Sequence, residues 1–415
     1  MNTNAVLAGK TKEGLKFYPD MKTRAGIIEQ YLKQIRNALR ELCSSSIDEI
    51  EEFSRVLVRA RARHNEIMFF GTGQDYHIIN HANFNFLKTN NLSVITMGIP
   101  EITAFRNEGP CPYRLKDILE RRHFGKRDVL VGVQFEKDDR ILRKAFEYNY
   151  ENGGINVLIS NMKRIPEYTG INIFINSDNT LVARDTAQIV LHFLSANLAF
   201  KTDTEFKDQG AEALSEYCQL LLRSLKGRYF SNKNLAGISA AIEKKLREGS
   251  RIFAFGNGGS ASIASFAAGA LKELADDPAD GYARIFDVTS YVKNMTKSIN
   301  NGYINGYLKS DAFTRIIRNL GVRNGDLLLG FSSSGNSENI LHPLVSLDKT
   351  ERIGILGFEN GGVIGSSNAA DLMAVVQDAG GFRSYQRAQD GQRIAVSAII
   401  NTLYDMGRFT DGKPA

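Results

Sequence analysis

An internal repeat constrains this chain more than any other feature. From Ile27 to Arg63 apolar residues recur at helical spacing in two blocks, broken by Cys43-Ser44-Ser45-Ser46, and the apolar run Ile67-Met68-Phe69-Phe70-Gly71 follows. The same order returns at Leu214 to Leu225 and Leu235 to Leu246, with Ser231-Asn232 as an N-cap region, and then Arg251-Ile252-Phe253-Ala254-Phe255-Gly256. Gly71 falls on Gly256 at an offset of 185, and Asp128-Val129-Leu130-Val131-Gly132 falls on Asp326-Leu327-Leu328-Leu329-Gly330 at an offset of 198. The second offset carries Ile155 to Ile159 onto Ile353 to Gly357. Both copies close on a long apolar-periodic helix, Arg184 to Leu198 and Gln389 to Leu403.

Short apolar runs alternating with helical patterns predict an α/β fold with a parallel sheet covered by helices on both faces. Each copy is expected to hold about five strands joined by right-handed crossovers, preceded by a helical hairpin. The predicted organisation is two tandem domains, 1–205 and 206–415, with the polar stretch Lys201 to Gly210 as the linker.

Composition fits this. With 43% hydrophobic and 24% charged residues the chain is neither disordered nor fibrous. No run approaches the ~20 apolar residues of a spanning helix, and Met1 to Asp20 lacks a signal-like apolar core, so a cytoplasmic protein with no membrane partner is expected. Cys43, Cys111 and Cys218 are too few and too scattered for a disulfide framework or a metal knuckle, which predicts three reduced thiols. The net charge of +6 divides evenly, +3 on each side of residue 205, so no basic arm exists to suggest a nucleic-acid partner. The patch Arg55, Arg59, Arg61 and Arg63 follows the acidic run Asp48, Glu49, Glu51 and Glu52 and reads as a solvated helix face.

Open parallel sheets bind ligands at the carboxyl ends of their strands, where the second copy is rich in donors. Its first strand exits into Gly256-Asn257-Gly258-Gly259-Ser260, in which glycines let backbone approach a ligand and Asn257 and Ser260 can donate to it. Its third strand exits into Ser332-Ser333-Ser334-Gly335-Asn336-Ser337-Glu338-Asn339 ahead of a helix. One serine suffices for an N-cap, and four favour an oxyanion site built from hydroxyls and backbone N–H groups. No lysine-bearing nucleotide loop is present, and the second strand carries no acidic ribose ligand.

The segments GNGGS at 256–260, GFSSSGNSEN at 330–339 and GFENGG at 357–362 resemble the sugar isomerase (SIS) domain family, most closely its sedoheptulose 7-phosphate (phosphoheptose) isomerase group, over roughly Leu214 to Leu403. The resemblance implies two SIS-like domains, a sugar-phosphate ligand and homo-oligomeric assembly. It implies that Ser332, Ser333, Ser334 and Ser337 hold the phosphate, with Asn257, Gly258 and Ser260 on the sugar side. Arg387 and Gln389 match the arginine and glutamine that open the family's last helix.

This chain departs from the family where proton transfer is done. An aldose–ketose isomerase needs a base beside the carbonyl carbon and a group that shuttles a proton between two oxygens. The family's His and Glu after GNGGS, and its His on the last helix, fall here on Phe266, Ala270 and Ser397. The first copy is the mirror case. Gln134-Phe135-Glu136-Lys137-Asp138-Asp139 replaces the serine loop, where three carboxylates would repel a phosphate, and Gly71-Thr72-Gly73-Gln74-Asp75 is a worn GNGGS. Yet His81 and His192 occupy the two histidine positions, with Asn85 for the Glu and Arg184 for the Gln. His77 and His81 share a helical spacing that raises zinc, but no carboxylate or thiolate stands at a matched position, so neither a metal nor another cofactor is expected.

The expectation is therefore a degenerate first domain and a phosphosugar-binding second domain. The chain is expected to act as a sugar-phosphate isomerase with His81 and His192 as catalytic residues, the alternative being a catalytically silent sugar-phosphate sensor.

Overall fold

The computed structural model describes residues 20–90, 94–97, 114–135, 140–162, 165–198, 210–274, 284–291, 309–378 and 384–410. Cys111, the run Glu136 to Asp139 and positions 201–209 of the expected linker lie outside them. The chain divides into two compact units: a first unit, Gln34–Leu220, and a second, Leu221–Ala415 together with Met1–Lys33.

The first unit contains α1 (Met21–Ser45, whose first half belongs to the second unit), α2 (Ile47–Arg63), β1 (Ile67–Phe70), α3 (Asp75–Asn90), β2 (Ile95–Met97), α4 (Arg114–Arg121), β3 (Val129–Gln134), α5 (Arg140–Glu151), β4 (Ile155–Ser160), β5 (Ile171–Phe174) and α6 (Thr180–Leu198). The sheet is parallel throughout, in the order β2-β1-β3-β4-β5. Its strands bury both faces: Met68, Leu130 and Leu158 face Leu142 and Phe146 of α5 and Leu119 of α4 in one continuous apolar core. Each such side chain contributes about 1.5–3 kcal/mol on burial.

The second unit repeats the pattern with the end of α7 (Gly210–Ser224, whose residues up to Leu220 belong to the first unit), α8 (Asn232–Arg247), β6 (Ile252–Gly256), α9 (Gly258–Glu273), β7 (Ile285–Asp287), α10 (Ala312–Asn319), β8 (Leu327–Ser332), α11 (Glu338–Ser346), β9 (Glu351–Gly357), α12 (Gly362–Ser366), β10 (Leu372–Val376) and α13 (Ser384–Thr410). Ser231 caps α8, its hydroxyl accepting from Asn234 N at 3.3 Å. The sheet order is β7-β6-β8-β9-β10, the same topology as the first, also parallel throughout. Two α/β units with five-stranded parallel sheets thus replace the expected pair of sheets one for one. Among the described residues no helix is long and apolar enough to cross a membrane.

Pairing registers set the two sheets side by side and depart from the sequence offsets at one place. Phe70 pairs with Gly132, and Phe255 with Gly330. A carboxylate ties the base of each central strand to its neighbour. Asp128 accepts from Glu66 N at 2.8 Å and Gly125 N at 3.0 Å; Asp326 accepts from Arg251 N at 2.9 Å and Arg323 N at 2.7 Å. On the other side, however, Val129 pairs with Ile155 whereas Leu327 pairs with Glu351. The counterpart of Ile155 is therefore Glu351 rather than Ile353. A slip of two residues leaves every side chain on its own face, which is why apolar pattern alone cannot detect it.

Candidate functional site

In the second unit the strand order turns at β6 and β8, and the chain leaves both strands into short loops that open helices α9 and α11. That edge is where an open parallel sheet exposes backbone N–H groups to a ligand. Neither helix is closed by its own N-cap side chain: Asn257 before α9 and Ser337 before α11 make no side-chain capping bond. Asn257 instead forms a reciprocal amide pair with Asn339, at 2.8 and 2.9 Å, which ties the two loops together.

The serines fall into two groups by their bonds. Ser332 Oγ accepts from Gly335 N at 3.0 Å and Ser334 Oγ accepts from Asn336 N at 3.2 Å, so the loop folds around its own hydroxyls. Ser332 and Ser337 hydroxyls lie 3.5 Å apart, at the limit of hydrogen bonding. Ser333 faces the other loop: its Oγ is 3.0 Å from Ser260 Oγ, and both lie 3.2 Å from Gln392 Oε1. Gln392 is fully buried on α13, with its Nε2 donating to Ile355 O at 2.7 Å.

Glycine is required at two points of this architecture. Gly335 has φ +65°, and a Cβ there would fall on the Gly361 carbonyl oxygen. A Cβ at Gly256 would stand 2.6 Å from Ser260 O, so only glycine lets β6 run this close to the start of α9. The tip that packs on the serine loop, after β9, is itself bent, with positive φ at Phe358, Asn360, Gly361 and Gly362. It is held by Val363 N donating to Asn336 Oδ1 at 2.9 Å and Ile364 N to Gly335 O at 2.9 Å.

Of the sequence-predicted residues, Asn257, Gly258, Ser260, Ser332, Ser333, Ser334 and Ser337 gather at this edge. Gln389 joins them, its side chain filling the space that a Cβ on Gly259 would need. Arg387 is buried and grips Asp378 with Nε at 2.7 Å and Nη2 at 3.1 Å, an ion pair that ties α13 to the exit of β10. The sequence argument missed Gln392, Asn339 and Asp378. Gln392 stands among other polar residues, Gln389 to Arg393, and Asp378 alone after β10, with no spacing signal to mark either. Asn339 stood in the serine motif, without a role that spacing could assign.

Phe266, Ala270 and Ser397, where the family resemblance puts proton-transfer groups, are all fully buried. The guanidinium of Arg393, itself 1% exposed, lies 3.4 Å from the centroid of the Phe266 ring. This cation–π contact takes the place of an acid–base pair.

The first unit closes the same edge from within. Asp75 stands where Ser260 stands, and its Oδ2 accepts from Phe135 N at 3.1 Å, the backbone position equivalent to Ser333. Its Oδ1 takes Arg184 Nε at 2.6 Å, both side chains being buried. A carboxylate of the chain itself occupies the donors that an external anion would use.

Behind it, His81 and His192 meet edge to face with ring centroids 4.5 Å apart, both fully buried. Asn85 donates through Nδ2 to His81 O at 3.2 Å, and the same Nδ2 lies 2.9 Å from His192 Nε2. His81 Nδ1 lies 3.3 Å from Gln188 Oε1. The partners are amides rather than carboxylates or thiolates, a donor set that does not fit zinc, and no group of three metal-binding side chains occurs among the described residues.

Comparison with known proteins bears on the same residues. The SIS domain profile matches residues 216–351. Phosphoheptose isomerase of Chlorobaculum parvum is 31% identical over 178 residues, covering 41% of this chain and 77% of that protein. Phosphoheptose isomerase of Thermodesulfovibrio yellowstonii is 32% identical over 104 residues, covering 25% of this chain and about half (48%) of that protein. In fold, the chain is similar to tagatose-6-phosphate ketose/aldose isomerase from Escherichia coli, with a TM-score of 0.55 at 13% identity, covering 92% of this chain and 93% of that one. The C-terminal domain of glucosamine-fructose-6-phosphate aminotransferase from Francisella tularensis gives a TM-score of 0.53 at 13% identity, covering 94% and 97%.

Proposed function

The chain belongs to the SIS-domain family, and from that premise we propose that its second unit binds a sugar phosphate at the edge formed by residues 256–260 and 332–339. The observation that carries this reading is the bonding of Ser332 and Ser334. Each hydroxyl accepts from a backbone N–H of its own loop, and Ser332 Oγ reaches Ser337 Oγ at 3.5 Å, which gathers the hydroxyls beside the uncapped first turn of α11. Asn257, Gly258 and Ser260 lie on the sugar side with Gln389, and Arg387 supports the site through Asp378. The division of labour follows the division of sequence, with 206–415 binding and 1–205 degenerate.

On that binding we propose aldose–ketose isomerisation of a sugar phosphate, in line with the isomerase in the relatives' names, with His81 and His192 as its proton-transfer groups. A second reading, a catalytically silent sugar-phosphate sensor, is favoured by the Arg393–Phe266 stack in the second unit. Incubation with ketose and aldose phosphates in deuterated water, followed by NMR, separates them. Isomer formation with deuterium at the carbon next to the carbonyl establishes the enzyme; saturable binding with no exchange establishes the sensor.

A further inference from the structure

The tip that follows β9 holds a phenylalanine where the backbone suits glycine. Phe358 has φ +60° and ψ 169°, a region essentially reserved for glycine, in which a bulky side chain is strained. The other positive-φ residues of this tip, Asn360, Gly361 and Gly362, are of kinds that tolerate it. Strain of this sort persists only where the surroundings hold it and the side chain has a use. The Phe358 ring meets that of Tyr385 edge to face, with centroids 4.9 Å apart and planes at 84°.

Both residues stand beside the edge described above. A Cβ on Gly357, next to Phe358, would lie 2.5 Å from Ser333 O and 2.9 Å from Ala388 Cβ, so β9 ends between the serine loop and the first turns of α13. Tyr385 precedes Ala388 by three residues and Gln389 by four and shares their helix face, and Gln389 packs against Gly259. Yet Tyr385 is 51% exposed. In an edge-to-face pair each ring covers at most one face of the other, so at least one face of Tyr385 is not covered by Phe358. An aromatic face is electron-rich. It repels a phosphate and attracts the weakly positive C–H hydrogens along one side of a closed sugar ring, an array that an acyclic ester does not present.

We propose that Tyr385, braced by Phe358, is a specificity-determining residue: its ring is a wall on which the C–H side of a closed sugar ring packs while the phosphate lies at the serine loop. The ligand class is a cyclic sugar phosphate, discriminated from acyclic phosphate esters of the same charge. This rests on the sugar-phosphate reading above and deepens it, because loops of hydroxyls and amides offer a sugar no apolar surface and these two rings do. Phe358 acts through Tyr385 as a positioning residue, and its strain is retained because glycine there would leave Tyr385 unbraced.

The test is calorimetric titration of the full chain and its variants with two probes, glycerol 3-phosphate, which is acyclic, and sedoheptulose 7-phosphate, which closes into a ring. The wild type is expected to bind the cyclic probe at least tenfold more tightly. Tyr385→Ala should weaken sedoheptulose 7-phosphate by tenfold or more while changing glycerol 3-phosphate less than threefold. Tyr385→Phe keeps the ring and should bind both probes within threefold of wild type. Phe358→Gly should weaken sedoheptulose 7-phosphate by threefold or more with a thermal midpoint equal to or above that of wild type, because the strain leaves with the side chain. A Tyr385→Ala variant that binds sedoheptulose 7-phosphate within threefold of wild type, or that loses both probes equally, overturns the wall. A lowered midpoint with unchanged binding in Phe358→Gly overturns the bracing role. Failure of the wild type to bind either probe overturns instead the sugar-phosphate site itself.

Discussion

Asp75 Oδ1 and Arg184 Nε meet at 2.6 Å inside the first unit, at the positions where the second unit has Ser260 and Gln389. The pair places a buried carboxylate of the chain at the position that a serine holds in the second unit. The backbone N–H of Phe135 and the guanidinium of Arg184 both donate to this carboxylate, so the chain supplies its own anion at the strand exit. Removing one partner leaves a buried charge uncompensated, which costs about 3–5 kcal/mol. Asp75→Ala is expected to destabilise the first unit by that amount in urea denaturation. A loss under ~1 kcal/mol would mean the carboxylate is incidental.

Two glycines give opposite predictions for the same substitution. Gly335→Ala forces a side chain into a left-handed backbone, costing roughly 1–2 kcal/mol, and drives its Cβ against the Gly361 carbonyl as well. It should lower the thermal midpoint and abolish ligand binding, because the serine loop turns on that residue. Gly26→Ala lies in α1 with open space around the new Cβ and should stabilise by about 0.5–1 kcal/mol.

Arg24 and Arg247 both engage Glu243 in the second unit. Burial opposes the charge of that carboxyl, and the two guanidinium groups outweigh it, holding Glu243 below the ordinary value of 4.5. A carboxylate whose pKa is depressed on folding adds stability above the unfolded-state pKa and loses it as pH falls through the folded one. Thermal midpoints should therefore drop on acidification below about pH 4.5, and Glu243→Gln should be less stable near neutrality with a shallower acid limb. Parallel acid limbs for variant and wild type would remove Glu243 from the account.

For the isomerase reading, His81→Gln and His192→Gln are each expected to lower turnover by on the order of a hundredfold while leaving sugar-phosphate affinity within a few fold. Turnover within threefold of wild type in both variants would leave the edge-to-face pair a packing feature.

Much of this was legible in the sequence because a parallel sheet buried on both faces writes continuous apolar runs, as at Val129 to Gly132 and Leu327 to Gly330. The serine loop was legible because four hydroxyls at one strand exit exceed what a helix cap needs. The two-residue slip at Glu351 was not, since alternation is blind to an even shift. Nor were Asp75 and Gln392. Each is one polar residue whose importance lies in the long-range partner it meets, Arg184 at 109 positions and Ser260 at 132 positions away. The Arg393–Phe266 stack was hidden for the same reason.

The central claim is that the serine edge of the second unit holds a sugar phosphate, and calorimetric titration of the Ser332→Ala, Ser334→Ala double variant against wild type tests it most directly. Each lost charge-assisted donor is worth roughly 1.5–3 kcal/mol, about ten- to a hundredfold in affinity. The account predicts saturable binding of sedoheptulose 7-phosphate to the wild type and at least a hundredfold loss in the double variant, with Asp138→Ala in the first unit unchanged. Affinity in the double variant equal to that of the wild type would contradict it.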